Sequence, residues 1–214
     1  MAEDYLPDLK RIIVVTGTPG VGKSSLARAL AERLGWIALD LSDFSLREGL
    51  LREYDGARGT WVIDEGRLRK AVMRLLRDSK SNIIVEGHYA QAIVPSKGVE
   101  LAFVLRCDPR VLEGRLRSKG YGEDKVLENL EAEILDSCLL EALNAFGGSR
   151  VHEIDMTELS LEEAIGEALE VMGGRKRPSL LGIDWIGILE RDGCLERYLA
   201  GRKVEGKKIF DNPL

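Results

Sequence analysis

The sequence predicts an α/β fold, a five-stranded parallel sheet wound with helices on both faces. Three observations carry that prediction. Five short apolar, β-branched runs recur along the chain, helical periodicity fills segments between them, and a glycine-rich turn joins the first run to the first helix. Runs apolar on both faces belong inside a parallel sheet, and strand–helix alternation implies right-handed crossovers.

The first run, residues 11–16, reads RIIVVT, with no polar face. Similar runs follow at residues 36–40, 82–86, 101–106 and 150–155. Leu26, Leu30 and Leu34 repeat at one helical turn. Val126, Leu130, Ile134 and Cys138 do the same, widened by Leu127, Leu135 and Leu139, and predict one continuous helix. Asp108-Pro109 reads as a helix start, with proline at the first helical position. Ser160 and Glu163 form a capping-box pattern before a helix over 161–172. Gly173-Gly174 followed by Pro178 ends that helix, which places the main domain at 1–172 and a C-terminal extension at 173–214. In the extension, residues 180–198 have helix-compatible spacing interrupted by Gly182, Gly187 and Gly193, and 201–214 read as a flexible or docking segment.

The 214-residue chain is 44% apolar and 31% charged, enough to bury a core and stay dissolved, which excludes disordered and collagen-like classes. No apolar run reaches the roughly 18 residues of a membrane span. The acidic opening Met1-Ala2-Glu3-Asp4 departs from a secretory signal, so the expected location is cytoplasmic. Cys107, Cys138 and Cys194 are too few and too scattered for a disulfide framework or a zinc motif. Residues 1–172 carry net charge −8 and 173–214 carry +3. An acidic protein gains little from phosphate-backbone attraction, which disfavours general nucleic-acid binding and leaves open a basic protein partner or a local RNA contact through the tail.

After the first run comes Gly17-Thr18-Pro19-Gly20-Val21-Gly22-Lys23-Ser24, a full GxxxxGK[ST] motif between a strand and a helix. Glycines let successive backbone N–H groups turn inward onto phosphate oxygens, and the helix adds its positive end. Lys23 is placed for β and γ phosphates, and Ser24 suits magnesium. The sequence disfavours Ras-type GTP specificity, because no asparagine is followed by lysine as NKxD requires, and the DxxG string lies in the tail at Asp184–Gly187.

The third run delivers Glu86-Gly87-His88 to the carboxyl edge of the sheet, where open α/β folds bind ligands. Glu86 can hold a magnesium-bound water or simply cap a loop. His88 can orient an attacking water or the acceptor phosphate, or merely pack beside Tyr89. His152, inside the fifth run, reads as structural. Arg115 and Lys119 share a helix face leading into Gly120-Tyr121-Gly122, which suits either a lid that neutralises charge on a transferred phosphoryl group or a solvated basic face. Between the second and third runs, where a helical hairpin is expected to hold a phosphate acceptor, Arg47, Arg52, Arg58 and Arg67 are candidate clamps, with Asp40 and Asp43 an acidic pair nearby.

Together, residues 16–25, Asp64-Glu65, Glu86-Gly87-His88 and residues 115–121 (RLRSKGY) resemble the adenylate kinase isoenzyme six family in its archaeal form, over about residues 10–172. The resemblance implies the phosphate-loop fold of nucleoside monophosphate kinases, with residues 40–63 as the monophosphate-binding region and 118–128 as a short lid. It implies broad-specificity phosphoryl transfer from ATP to AMP with magnesium, ATP hydrolysis, and a part in late maturation of the small ribosomal subunit and its rRNA. The implied partner is the universal small-subunit ribosomal protein eleven, bound transiently. Gly20, Gly22, Lys23, Ser24, Ser25 and Lys119 are then expected on ATP, Ser24 and Glu86 on magnesium, and Lys23, Glu86, His88, Arg115 and Lys119 in catalysis. Two positions depart from the family pattern: Lys119 stands where arginine is common, and Glu86 where aspartate is frequent. The alternatives are an assembly-factor ATPase alone, or another phosphate-loop kinase acting on shikimate or a cofactor precursor.

Overall fold

The computed structural model describes residues 10–55 and 60–199. In chain order the elements are β1 (Ile12–Gly17), α1 (Lys23–Leu34), β2 (Ile37–Asp40), α2 (Leu41–Arg47), β3 (Leu51–Asp55), β4 (Thr60–Ile63) and α3 (Glu65–Asp78). Then come β5 (Ile83–Glu86), α4 (Ala90–Ile93), β6 (Val99–Arg106), α5 (Pro109–Ser118), α6 (Glu123–Ile134) and α7 (Ser137–Phe146). The chain continues with β7 (Val151–Asp155), α8 (Leu161–Met172), α9 (Trp185–Arg191) and α10 (Leu195–Leu199).

The five expected strands form one parallel sheet in the order β2-β5-β1-β6-β7. The central β1 is buried on both faces. Its alternate residues feed two cores, Ile13 and Val15 packing with α1, α5, α6 and α8, and Ile12 and Val14 with α2, α3, α4 and α7. The period-two alternation of side chains thus divides one apolar run between two helical layers. The helix signals at Pro109 and at Ser160–Glu163 hold: Asp108 accepts from the Arg110 N–H, and the Ser160 capping box closes reciprocally. His152 is structural as expected, fully buried, with Nδ1 accepting the Ser179 N–H at 3.0 Å and Nε2 3.1 Å from Glu167. All three cysteines are free, and Cys107 is buried.

Two expectations are corrected. The stripe from Val126 to Leu139 does not form one helix: it breaks at Leu135–Asp136 into α6 and α7, with Asp136 left-handed at φ 55°. Ile134 packs in one core layer and Leu139 in the other, so the chain crosses between layers at the break, and Leu135 turns to solvent. Arg106 stabilises the break by donating to the Asp136 carboxylate and to the Glu133 carbonyl. Second, the segment between β2 and β5 is not a helical hairpin. It is α2, an antiparallel β3–β4 pair with Leu51 opposite Ile63, and α3. The chain beyond Met172 packs back onto the same core as far as its described part runs, because Trp185, Leu189 and Tyr198 are buried in the α1–α8 layer. Gly193, at φ 67°, permits the turn between α9 and α10. Residues 201–214 and Arg58 lie outside the described residues.

Candidate functional site

The glycine-rich segment turns sharply between β1 and α1, with Gly17, Gly20 and Gly22 at φ 137°, 95° and 111°. These are conformations that side-chain-bearing residues rarely adopt. At Gly17 the requirement is also steric, since a Cβ there would stand 2.4 Å from the Leu105 carbonyl oxygen. Helix α1 starts with no side-chain cap and no acidic residue in its first turn. Its first N–H groups and positive end are therefore free for an anion.

Lys23 is buried, and its ammonium donates to the Thr18 carbonyl at 3.0 Å. Burial lowers its pKa, and Lys119 pushes it the same way, while Cys138 and Glu86 oppose the shift. Ser24 is half-buried and Ser25 exposed.

Glu86, 4% exposed, ends β5 in register with Asp40 at the end of β2. Burial first, then the Asp40 carboxyl, push the Glu86 carboxyl up to about 7, against the pull of the Ser24 hydroxyl and Lys23. Its Oε1 has no hydrogen-bond partner among the described residues. A buried carboxylate oxygen left open beside a serine and a lysine matches what a hydrated magnesium would complete. Among the described residues no cluster of three or more His, Cys, Asp or Glu side chains could hold a metal, so magnesium there would depend on phosphate oxygens and water.

His88 follows on the α4 side. The residue is exposed, yet the surrounding protein and then Lys23 hold its pKa down at about 4. It is therefore neutral at physiological pH. Lys125 and Glu128 also act on it, and Lys119 acts on Lys23, so charges from residues 118–128 reach the site. That stretch is the end of α5, a short turn and the first half of α6. Arg115 is half-buried and donates to the Met156 and Thr157 carbonyls at 2.8 and 3.3 Å, whereas Lys119 is exposed.

Beside Glu86 opens a recess of about 320 Å³ lined by Ala27, Arg28, Asp40, Asp43, Leu46 and Arg47, among others. That volume falls in the lower part of the ligand-pocket range. Of the four candidate arginines, Arg47 lines it, Arg52 lies 3.3 Å from Asp64, and Arg67 is exposed on α3. The pairing of Asp40 with Glu86 escapes a reading of the sequence one run at a time. The signal was present, since both residues end strands, but their adjacency needs the β2-β5 neighbourhood. Asp184 and Gly187 of the DxxG string only cap α9, the Asp184 carboxylate accepting the Gly187 N–H at 2.9 Å.

An uncapped helix start behind a glycine turn, facing two carboxylates at the carboxyl edge of a parallel sheet, defines a phosphate-loop nucleotide-binding protein of α/β fold. Solved structures share this fold. The shikimate kinase of Acinetobacter baumannii in complex with shikimate superposes with TM-score 0.55 at 18% identity, over 79% of this chain and 96% of that one. A gluconokinase from Sinorhizobium meliloti gives 0.53 at 21%, over 79% and 95%. A family model described as an AAA domain matches residues 13–136. Proteins named "Putative adenylate kinase" are similar over most of their length: that of Archaeoglobus fulgidus is 42% identical across 84% of this chain and 94% of its own, and that of Pyrococcus abyssi 39% across 81% and 91%. The chain belongs to this archaeal adenylate kinase family. Among the described residues, no helix is long and apolar enough to cross a membrane.

Proposed function

We propose that the protein is a nucleoside monophosphate kinase that transfers the γ-phosphoryl group of ATP to AMP or a related monophosphate, giving two nucleoside diphosphates. The observation that carries this reading is the buried Glu86 carboxylate, its Oε1 without a hydrogen-bond partner among the described residues, lining the same recess as Arg47. In this reading an acceptor phosphate oxygen forms a bond to the γ phosphorus while the bond to the β–γ bridging oxygen breaks. Loop N–H groups and Lys23 hold the phosphates, Arg47 clamps the acceptor, and Lys119 adds positive charge as negative charge shifts toward the bridging oxygen. Ser24 and the water-mediated Glu86 would hold magnesium, which when bound neutralises phosphate charge. Arg115, anchored on Met156 and Thr157, orients α5 so that Lys119 stands near the site. The names of the archaeal relatives support this reading. The direct test mixes ATP and AMP with the protein and measures ADP. Absence of ADP, with ATP bound, would reject it.

The family resemblance supports a second activity, hydrolysis of ATP during small-subunit maturation with a basic ribosomal protein as partner. The net charge of −8 over residues 1–172 favours a basic partner. Phosphate release is expected to rise on adding that protein. In this reading His88 orients the attacking water. His88→Ala is expected to slow hydrolysis more than it weakens ATP binding, and equal losses would make the ring a packing group. In the nucleotide-free protein the His88 ring is expected to titrate near 4 and not near its usual value of about 6.5. An NMR pH titration of the ring without nucleotide checks this.

A further inference from the structure

Beneath the phosphate loop lies a buried charge cluster that neither the motif nor the recess includes. Thr18, 1% exposed, donates its hydroxyl to Glu133 Oε2 on α6 at 2.6 Å, and Glu133 is itself 2% exposed. The other Glu133 oxygen accepts from Arg106 Nε at 2.9 Å, the Cys107 N–H at 3.2 Å and the Trp185 indole N–H at 3.3 Å. Arg106 also donates to Glu153 at 2.6 Å and to Asp136. Glu153 in turn accepts the Leu181 N–H at 2.7 Å. One guanidinium thus gathers three carboxylates, and two groups of the C-terminal segment, Leu181 and Trp185, complete the set.

Thr18 occupies a special place in the loop. Its carbonyl accepts from Lys23, the residue assigned to the phosphates, while its side chain donates to Glu133. A carboxylate fixed by three donors on one oxygen has little freedom left. Its single bond from the other oxygen therefore fixes Thr18 rather than the reverse. The C-terminal segment holds Glu133 directly through Trp185 and Arg106 indirectly through Glu153.

We propose that Glu133 is a positioning residue of the phosphate loop, and that docking of the C-terminal segment through Trp185 and Leu181 sets the loop's affinity for ATP. The inference rests on the reading that this loop binds ATP. It gives the segment beyond Met172 a role at the site: its seating and nucleotide binding stabilise each other.

The test is calorimetric titration of ATP with magnesium into the full-length protein, with thermal melting alongside. Thr18→Val keeps the side-chain shape and removes the hydroxyl, and is expected to weaken ATP about tenfold, within the usual span of coupling between sites. Thr18→Ser, which keeps the hydroxyl, is expected to return affinity to within about twofold of wild type, a difference too small to count as coupling. Trp185→Phe deletes the indole N–H that Glu133 accepts and is expected to weaken ATP about threefold to fivefold, near the low end of that span. Valine and phenylalanine variants that bind ATP as wild type does, with only their melting temperatures lowered, would overturn the proposal and leave the cluster a structural anchor. Should Thr18→Val fail to fold, Trp185→Phe decides alone by the same criterion. Wild-type protein that binds no ATP would instead defeat the reading beneath it, so the two failures are separable.

Discussion

Replacing Lys23 with alanine is expected to lower both phosphoryl transfer and ATP hydrolysis by at least roughly 10² to 10³-fold, the scale of deleting one preorganised donor from a dry site. Among the described residues the buried ammonium donates only to the Thr18 carbonyl, a neutral acceptor that phosphate oxygens outcompete. Its pKa is lowered by burial, which means the charged form is costly until an anion arrives. The same argument predicts the opposite effect on the nucleotide-free protein. Losing a poorly compensated buried cation should leave the melting temperature unchanged or raised, while ATP no longer raises it. Retained turnover in this variant would defeat the site assignment. A melting temperature that falls as far as activity would mean that the lysine serves the fold.

Glu86→Gln is expected to separate stability from activity just as sharply. In the nucleotide-free, magnesium-free protein the carboxyl sits near 7 against 4.5 for an unperturbed glutamate, chiefly through burial and then through Asp40. Below 4.5 the group is neutral in both the folded and the unfolded chain and contributes nothing. Between 4.5 and 7 the folded state holds a proton that the unfolded state sheds. Above 7 the folded state must carry a buried charge. Stability on this group's account therefore falls as pH rises through that window, by up to about 3 kcal/mol when the displacement is converted at roughly 1.4 kcal/mol per pH unit. Glutamine, of the same shape and without the charge, should melt close to wild type at pH 5 and clearly higher at pH 8. Its phosphoryl transfer should fall by about 10²-fold or more, as for removal of other electrostatic groups aimed at the reacting phosphates. Parallel melting curves at the two pH values check the first claim. Identical pH slopes in wild type and variant would show that Glu86 is not the buried charge it is taken to be.

Much of this site could be read along the chain because its chemistry is local. The eight residues from Gly17 to Ser24 contain both the backbone freedom and the side chains a phosphate needs, and they lie between a strand and a helix that the hydropathy pattern already marks. Glu86 and His88 were legible for a similar reason: they follow directly on an apolar run, and the carboxyl end of such a run faces the ligand side of a parallel sheet. The four arginines offered by the acceptor region could not be ranked in the same way. Helical spacing and charge are equal for them, and only the fold turns Arg47 into the recess while Arg52 meets Asp64. The β3–β4 pair was missed because an expectation about the architecture outweighed the β-branched and aromatic residues of Thr60–Ile63.

The break between α6 and α7 shows where local reading ends. Val126, Leu130, Ile134 and Cys138, with Leu127, Leu135 and Leu139 beside them, fit one apolar stripe, yet the two halves face different core layers, and a buried guanidinium from β6 captures the carboxylate at the crossing. Hydropathy records that a residue will be buried but not against which layer. The C-terminal segment is similar, since its glycines weaken any helix taken alone and its seating depends on Glu133, Glu153 and Glu113, which accept from Trp185, Leu181 and Arg197 respectively. By itself the sequence determined the alternation of strands and helices, the phosphate-loop motif, and the positions of Glu86 at the end of the third core strand and His88 just past it. Strand order, the meeting of Asp40 with Glu86 and the tie from Thr18 to Trp185 were decided by tertiary structure alone. Those contacts join residues far apart in the chain, and their energy exists only once burial has removed the water that would otherwise satisfy each charge.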